Sequence, residues 1–279
     1  MTGRTCMVTG ASSGIGKATA IGLARMGADL VLVCRDRGRG EDAAEEISDQ
    51  AGSGFVELLI ADLGVQSQIR RLAEGLLSTS RPLHVLVNNA GVTINDRSET
   101  EDGIETTFAI NHLGPFLLTN LLLDRIKESA PSRVVTVSSV AHKFGSGMNF
   151  EDINSEQNYG GLRVYGRSKL ANILFTRELA RRLEGTDVTA NSLHPGSVAS
   201  NFGQNNGGFL RPLIRLMAPM MKSPEKGAQT SIFLASSPEV QSVSGAYFVN
   251  CKEQTPGRAA TDEADAKRLW DLSTEMTSL

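Results

Sequence analysis

Cysteine is scarce in this 279-residue chain. Cys6, Cys34 and Cys251 form no C-x-x-C pair, and their odd number excludes a fully paired disulfide framework. They read as reduced thiols, which suits the cytoplasm. His84, His112, His142 and His194 are the four histidines, and they show no metal-ligand spacing, so no metal site is expected. Neither sign of charge is in excess. With 28 Lys and Arg against 31 Asp and Glu, the net charge is −3, which argues against a nucleic-acid partner held by bulk charge. No apolar run is long enough to span a bilayer. Arg4-Thr5-Cys6-Met7-Val8-Thr9 begins a strand-like run almost at once, and no secretory leader is read before it. There is no internal repeat and no Pro/Ser-rich linker, so one domain over residues 1–279 is expected.

What is present is alternation. Short apolar runs at residues 5–9, 30–34, 55–60, 85–87, 133–138, 188–193 and 246–249 read as strands. Helical patterns lie between them, at residues 14–26, 41–50, 65–77, 99–113, 115–129, from Tyr165 to Glu184, 224–236 and 262–275. A bend is expected near Gly114-Pro115. Continuous apolar strands separated by helices signal an α/β fold, with a parallel sheet covered on both faces.

Two stretches carry chemistry. Thr9-Gly10-Ala11-Ser12-Ser13-Gly14-Ile15-Gly16 joins the first strand to the first helix. Glycines there let the backbone approach a pyrophosphate, and the helix N-terminus offers free N–H groups. The spacing is G-x-x-x-G-x-G, not the usual dinucleotide G-x-G-x-x-G. The second stretch is Tyr165-Gly166-Arg167-Ser168-Lys169, where i and i+4 share one helical face. A phenol has an ordinary pKa of about 10, and a neighbouring ammonium is expected to lower it. Alone, Tyr-x-x-x-Lys is a weak signal. Here it has company in Asn88-Asn89-Ala90-Gly91, Ser138-Ser139 and Pro195-Gly196.

In that order these motifs resemble the short-chain dehydrogenase/reductase family over nearly the whole chain. Cys34-Arg35-Asp36, Ala109-Ile110-Asn111-His112-Leu113-Gly114 and Ser168-Lys169-Leu170-Ala171-Asn172 look most like the retinol-dehydrogenase-like branch. The resemblance implies a doubly wound Rossmann domain with a seven-stranded parallel sheet in the order 3-2-1-4-5-6-7. It implies Asn111, Ser139, Tyr165 and Lys169 as the catalytic set. Tyr165 would exchange the proton, Ser139 would orient the substrate oxygen, Lys169 would lower the Tyr165 pKa and hold a ribose, and the Asn111 carbonyl would hold a water. Ser138 reads instead as a strand-end cap. Ser139 and Tyr165 are 26 residues apart, more than the family's commonest gap, and the excess falls in residues 141–161, where the branch carries an insertion.

For the cofactor, the resemblance implies Gly10, Ser12, Ser13, Gly14, Ile15, Gly16, Asp62, Leu63, Asn88, Ala90, Gly91, Tyr165, Lys169, Pro195, Gly196, Val198 and Ser200 as contacts. Asp62 also reads as a helix N-cap ahead of Val65. An acidic residue at the end of the second strand selects NAD. Here Cys34 stands at that place and Arg35 follows. A guanidinium suits a 2′-phosphate, so NADP(H) is favoured over NAD(H), with Lys17 or Arg37 as helpers. Asp36 turned inward would favour NAD(H), and a solvated loop charge is the plainer reading of Arg35.

Residues 200–223 read as a substrate lid, with Phe209, Leu210, Leu213, Ile214, Leu216, Met217, Met220 and Met221. Methionine-rich surfaces adapt to varied apolar shapes. The expected substrate is a bulky apolar alcohol or carbonyl compound, retinoid-, terpenoid- or steroid-like. Packing on the core or on a second subunit is the competing reading. Arg211, Arg215 and Lys222 among the apolar residues allow peripheral contact with a membrane surface. The resemblance implies a homodimer or homotetramer. A non-catalytic dinucleotide-binding regulator, or a pigment reductase similar to protochlorophyllide oxidoreductase, are the alternatives on the same fold.

Overall fold

The computed structural model describes residues 1–51, 54–144, 147–196 and 222–279. The chain alternates β1 (Thr5–Thr9), α1 (Gly14–Arg25), β2 (Asp29–Cys34), α2 (Arg37–Gln50), β3 (Val56–Ile60), α3 (Gln66–Leu77) and β4 (Val85–Asn88). A composite helix follows: α4 (Thr106–Phe108), a π segment (Ala109–Leu113), α5 (Gly114–Leu121) and α6 (Leu123–Glu128). Then come β5 (Ser132–Val137), a 3₁₀ turn (Val140–Lys143), α7 (Gly161–Arg182), β6 (Val188–His194), α8 (Pro224–Ser236), β7 (Tyr247–Val249), β8 (Lys252–Glu253) and α9 (Glu263–Thr277).

The strands form one sheet in the order β3-β2-β1-β4-β5-β6-β7-β8. The seven expected strands are parallel and in the expected order. The eighth is an addition. Asn250 and Cys251 both have positive φ, 52° and 59°, as a two-residue type I′ turn requires. The turn folds Lys252–Glu253 back antiparallel on β7. Two exposed charged residues carry no strand signal, so the sequence pattern did not show this edge.

Successive residues of the inner strands face opposite helical layers. Met7, Val31 and Leu86 join a cluster with Phe116, Leu117, Phe175 and Trp270. Cys6, Val8, Leu30 and Leu32 join another with Leu23, Ala24, Ile47 and Leu234. This two-sided burial is why the strands read as unbroken apolar runs. Each fully buried Leu or Phe contributes about 1.5–3 kcal/mol.

Three helices differ from expectation, α7 by beginning at Gly161, one turn before Tyr165. α2 starts at Arg37, not residue 41, because Asp36 caps it: its Oδ1 accepts from Arg39 N–H at 2.9 Å. Gly40, which resembles a breaker, is needed for packing. A Cβ there would come 2.9 Å from Leu58 Cδ1 and 3.2 Å from Cys34 Cβ. The pattern at residues 99–113 is helical only from Thr106, and Glu99 instead makes an antiparallel bridge to Glu105. The bend expected at Gly114-Pro115 is a change of helix type. The wider π turn ends where Pro115, which has no N–H to give, enters α5.

The chain leaves β1 in one direction, through β2 and β3, and returns to pair β4 on the other side of β1. That reversal opens a crevice at the carboxyl ends of β1 and β4, where ligands of open α/β sheets bind.

Candidate active site

A cleft of about 530 Å³ fills that crevice. The turn after β1 forms its floor. Gly10 and Gly14 have φ of +68° and +56°, a region that side chains rarely adopt. A Cβ on Gly10 would lie 2.9 Å from Ala90 Cα, and one on Gly16 would collide with the Gly10 carbonyl and Asn89 Nδ2. Thr9 ties this turn to the β4 loop: its Oγ1 accepts from Asn89 N–H and Ala90 N–H, both at 3.0 Å. Ser13 precedes α1 in extended backbone and gives the helix no side-chain cap. The first N–H groups of α1 are therefore left without a side-chain acceptor, and Gly14, Ile15 and Gly16 line the cleft. Glycine backbone, a helix N-terminus and a polar cradle fit a pyrophosphate-bearing dinucleotide.

Gly10, Ser12, Ser13, Gly14, Ile15, Gly16, Arg35, Asp62, Leu63, Ala90 and Gly91 all line this cleft, as the motifs predict. Asn88 does not. It is 2% exposed on β4, and its Nδ2 donates to Thr119 Oγ1 at 2.9 Å. Asn89 takes the lining place, with Nδ2 donating to Thr9 O at 2.8 Å. Side chains alternate across a strand end, so adjacent asparagines serve opposite sides. Asp62 is not the cap of α3. Its Oδ1 accepts from Gly64 N–H at 2.8 Å, while Asp102 Oδ2 accepts the Gln66 N–H at the helix start.

Arg35 is exposed beside Asp62, Nη1 to Oδ2 at 3.9 Å. Neither expected helper joins it: Lys17 pairs with Glu46 at 2.7 Å and Arg37 with Glu41 at 3.6 Å. Arg39 lines the cleft instead, with Nη2 3.5 Å from Ser13 Oγ. The Asp36 cap was the signal for it, because a helix beginning at 37 turns Arg39 toward the glycine-rich loop. Pro195 and Gly196 follow β6 at the same sheet edge, outside the lining of this cleft. Val198, Ser200 and nearly all of the proposed lid lie outside the described residues.

The four expected catalytic side chains converge. α7 carries Tyr165 and Lys169, β5 delivers Ser139, and the π segment delivers Asn111. Ser139 lies close enough to the Tyr165 phenol to lower its pKa. Lys169 is 3% exposed; its Nζ donates to Val137 O at 3.1 Å and stands 5.6 Å from the Tyr165 ring centroid. A Cβ on Gly91 would be 3.2 Å from both Lys169 Nζ and Asn111 Oδ1, so that glycine joins this cluster to the cleft. Asn111 is fully buried. Its Oδ1 accepts from Val92 N–H at 2.7 Å, and its Nδ2 donates to Val92 O and Ser168 Oγ, both at 2.9 Å. The side-chain amide is thus tied to the Val92 backbone and to Ser168. Ser138 is the structural serine, donating to Lys169 O at 2.6 Å.

The electrostatics run opposite to the simple expectation for Tyr165. Burial pushes the phenol up to about 12, against a smaller lowering by the Ser139 hydrogen bond. Burial also brings Lys169 down to about 8. The ammonium donates to Val137 O, and desolvation dominates both shifts. His112, in the core beside Asn111, is held down at about 3 by burial. His142, unassigned in the sequence, contacts the catalytic turn through the Ser139 carbonyl.

Residues 4–208 match the short chain dehydrogenase family. Retinol dehydrogenase 14 of Homo sapiens is 49% identical over 295 residues, spanning 100% of this chain and 88% of the relative. Retinol dehydrogenase 12 of Mus musculus is 46% identical over 277 residues, spanning 99% and 87%. Among solved structures, an uncharacterized protein from Mycobacterium paratuberculosis aligns with a TM-score of 0.79 at 36% identity, over 99% of this chain and 94% of that one. The Pseudomonas aeruginosa RhlG/NADP active-site complex aligns with a TM-score of 0.71 at 30% identity, over 89% and 94%. The crevice at the β1/β4 reversal, the Ser139–Tyr165–Lys169 cluster with its buried lysine and these likenesses agree: the chain belongs to the short-chain dehydrogenase/reductase family and is an oxidoreductase similar to retinol dehydrogenases.

Proposed function

We propose that the chain is an NADP(H)-dependent reductase of bulky apolar carbonyl compounds, retinoid-like before terpenoid- or steroid-like. The cofactor choice rests on one observation. Arg35 and Arg39 both line the end of the cleft beyond Ser13, while the Asp36 carboxylate is occupied in capping α2. Two guanidiniums suit a 2′-phosphate, and they outnumber the single carboxylate of Asp36, which lines the same cleft. The substrate class rests on the names of the relatives and on three exposed apolar side chains around the reacting pair: Val140 (41%), Phe144 (54%) and Leu162 (63%). Val140 follows Ser139, and Leu162 precedes Tyr165 by one helical turn.

A bound nicotinamide dinucleotide supplies or takes up the hydride. The chain's own groups handle the proton. With its pKa pushed up to about 12, Tyr165 is protonated at neutral pH and able to donate to a substrate oxygen. The Ser139 hydroxyl, beside Tyr165, is suited to orient that same oxygen. Lys169, brought down to about 8, keeps its charge at neutral pH and loses it above. Reduction is therefore the neutral-pH direction, and oxidation, which needs the phenolate, gains with rising pH. In the reading's support, both reacting groups are intact, which disfavours a non-catalytic regulator.

The test is cofactor oxidation followed by absorbance, NADPH against NADH, with retinal, a monoterpenoid aldehyde, a steroid ketone and a short aldehyde. Preference for NADPH with retinal is expected. Arg35→Ala and Arg39→Ala should each weaken NADPH about tenfold and leave NADH unchanged. Equal use of both cofactors by the unmodified chain would overturn the NADP(H) reading.

A further inference from the structure

The Ser139 hydroxyl depends on how its main chain is held. Ser139 precedes the Val140–Lys143 turn in extended backbone, and its Oγ accepts from Ala141 N–H at 3.2 Å. Its carbonyl accepts twice from one residue: His142 N–H at 3.1 Å and His142 Nδ1 at 2.6 Å. A carbonyl only accepts, so Nδ1 carries the proton. Nε2 is then the bare nitrogen, and it accepts from Gly257 N–H at 2.8 Å. One neutral tautomer satisfies both bonds.

The ring is 3% exposed and meets Tyr247 edge-on, with centroids 5.2 Å apart. Gly257 approaches closely: a Cβ there would be 3.4 Å from both Cδ2 and Nε2. On the opposite side α7 presses on the same turn. A Cβ on Gly166, the residue after Tyr165, would lie 2.7 Å from Ala141 O. The serine-bearing turn is thus gripped between the tyrosine helix and the chain after β8.

We propose that His142 is a positioning residue, whose imidazole clamps the Ser139 carbonyl to Gly257 and so holds the Ser139 hydroxyl toward Tyr165. The inference rests on Ser139 and Tyr165 being the reacting pair. It also carries a pH consequence. The titratable groups facing the ring are Lys143 on its own turn, His194 on β6, Tyr247 on β7 and, beyond Ser139, Tyr165 on α7. None is an acid that would welcome an imidazolium. A proton on Nε2 would set it donor to donor against Gly257 N–H. Burial already holds His142 below the ordinary imidazole value of 6.5. The clamp is intact above that range and fails as pH falls through the lowered pKa. His194, held at about 4 by burial, titrates separately.

The experiment uses the full chain with NADPH and all-trans-retinal. Asn at position 142 keeps a donor near Nδ1, whereas Gln keeps an acceptor near Nε2 and loses the Ser139 bond. His142→Gln should lower kcat about tenfold or more, His142→Asn less, with KM and NADPH affinity within about twofold. The fall of wild-type kcat in acid should be absent from His142→Asn. In a Ser139→Ala background, His142→Gln should cost less than about twofold more, because its effect passes through the serine. Independently of turnover, the imidazole ¹⁵N shifts of the wild-type chain should report a neutral Nδ1–H ring. An Nε2–H ring, an unchanged kcat in His142→Gln beside a collapsed Ser139→Ala, or a full further loss in the double variant would each overturn the clamp. Full turnover by Ser139→Ala would instead overturn the reacting pair, and the inference with it.

Discussion

The dinucleotide end of the crevice is walled by backbone and glycine, and the catalytic end by buried polar side chains. At the first, Gly10, Gly14 and Gly16 leave room and α1 leaves N–H groups free, while Arg35 and Arg39 stand exposed. At the second, Asn111 and Lys169 are nearly or wholly buried, and each has named partners. The difference teaches where each end is vulnerable. A binding surface made of missing side chains fails when atoms are added. A reacting cluster made of desolvated polar groups fails when atoms are removed or left unpaired.

Three substitutions sharpen that contrast. The largest effect is expected for Tyr165→Phe, which removes one oxygen from the catalytic end. Reductive kcat should fall by about 10³ or more, with dinucleotide affinity unchanged in a fluorescence titration. Activity within an order of magnitude of wild type would place the proton donor elsewhere. Next comes Gly16→Val, which adds atoms at the other end. Its side chain would collide with the Gly10 carbonyl and Asn89, and dinucleotide affinity should weaken about a hundredfold. Tight binding by that variant would break the description of the floor.

The smallest effect is in stability. Lys169 has a folded pKa of about 8 against an ordinary 10.5, so below pH 8 the protein bears the whole cost of burying the ammonium. That cost is relieved as pH rises from about 8 to 10.5, since the unfolded chain then binds the extra proton. Lys169→Met should lose turnover yet melt several degrees higher at neutral pH, an advantage that shrinks above pH 8. The Val137 carbonyl keeps a partner in that variant, because Asn172 Nδ2 also donates to it at 3.2 Å. A lower melting temperature at every pH would show that the lysine packs more than it strains.

Much of this was legible in the residues. Continuous apolar runs identified β1 to β7 because parallel strands are buried on both faces. The glycine-rich turn and Tyr165-x-x-x-Lys169 were legible because their chemistry requires fixed local spacing. Asn88 and Asn89 were exchanged in role because neighbours in a motif look alike until the pleat sends them to opposite sides. Arg39 was missed because Gly38 and Gly40 masked a helix start that Asp36 caps. Reading Tyr165 as acidified took account of its charged neighbour but not of burial, which is not a local property.

By itself, the sequence determined the alternation of strands and helices, the glycines that only a close backbone approach needs, and the candidate catalytic side chains carried on one helix face and one strand end. These depend on periods and spacings of a few residues. Only the tertiary structure decided which groups lose water and which distant groups meet. The meeting of Arg39 with Ser13 across 26 residues, the depressed Lys169 and the bond from Gly257 to His142 across 115 residues are of that kind. Desolvation and hydrogen bonding between remote segments depend on packing, and no local pattern encodes them.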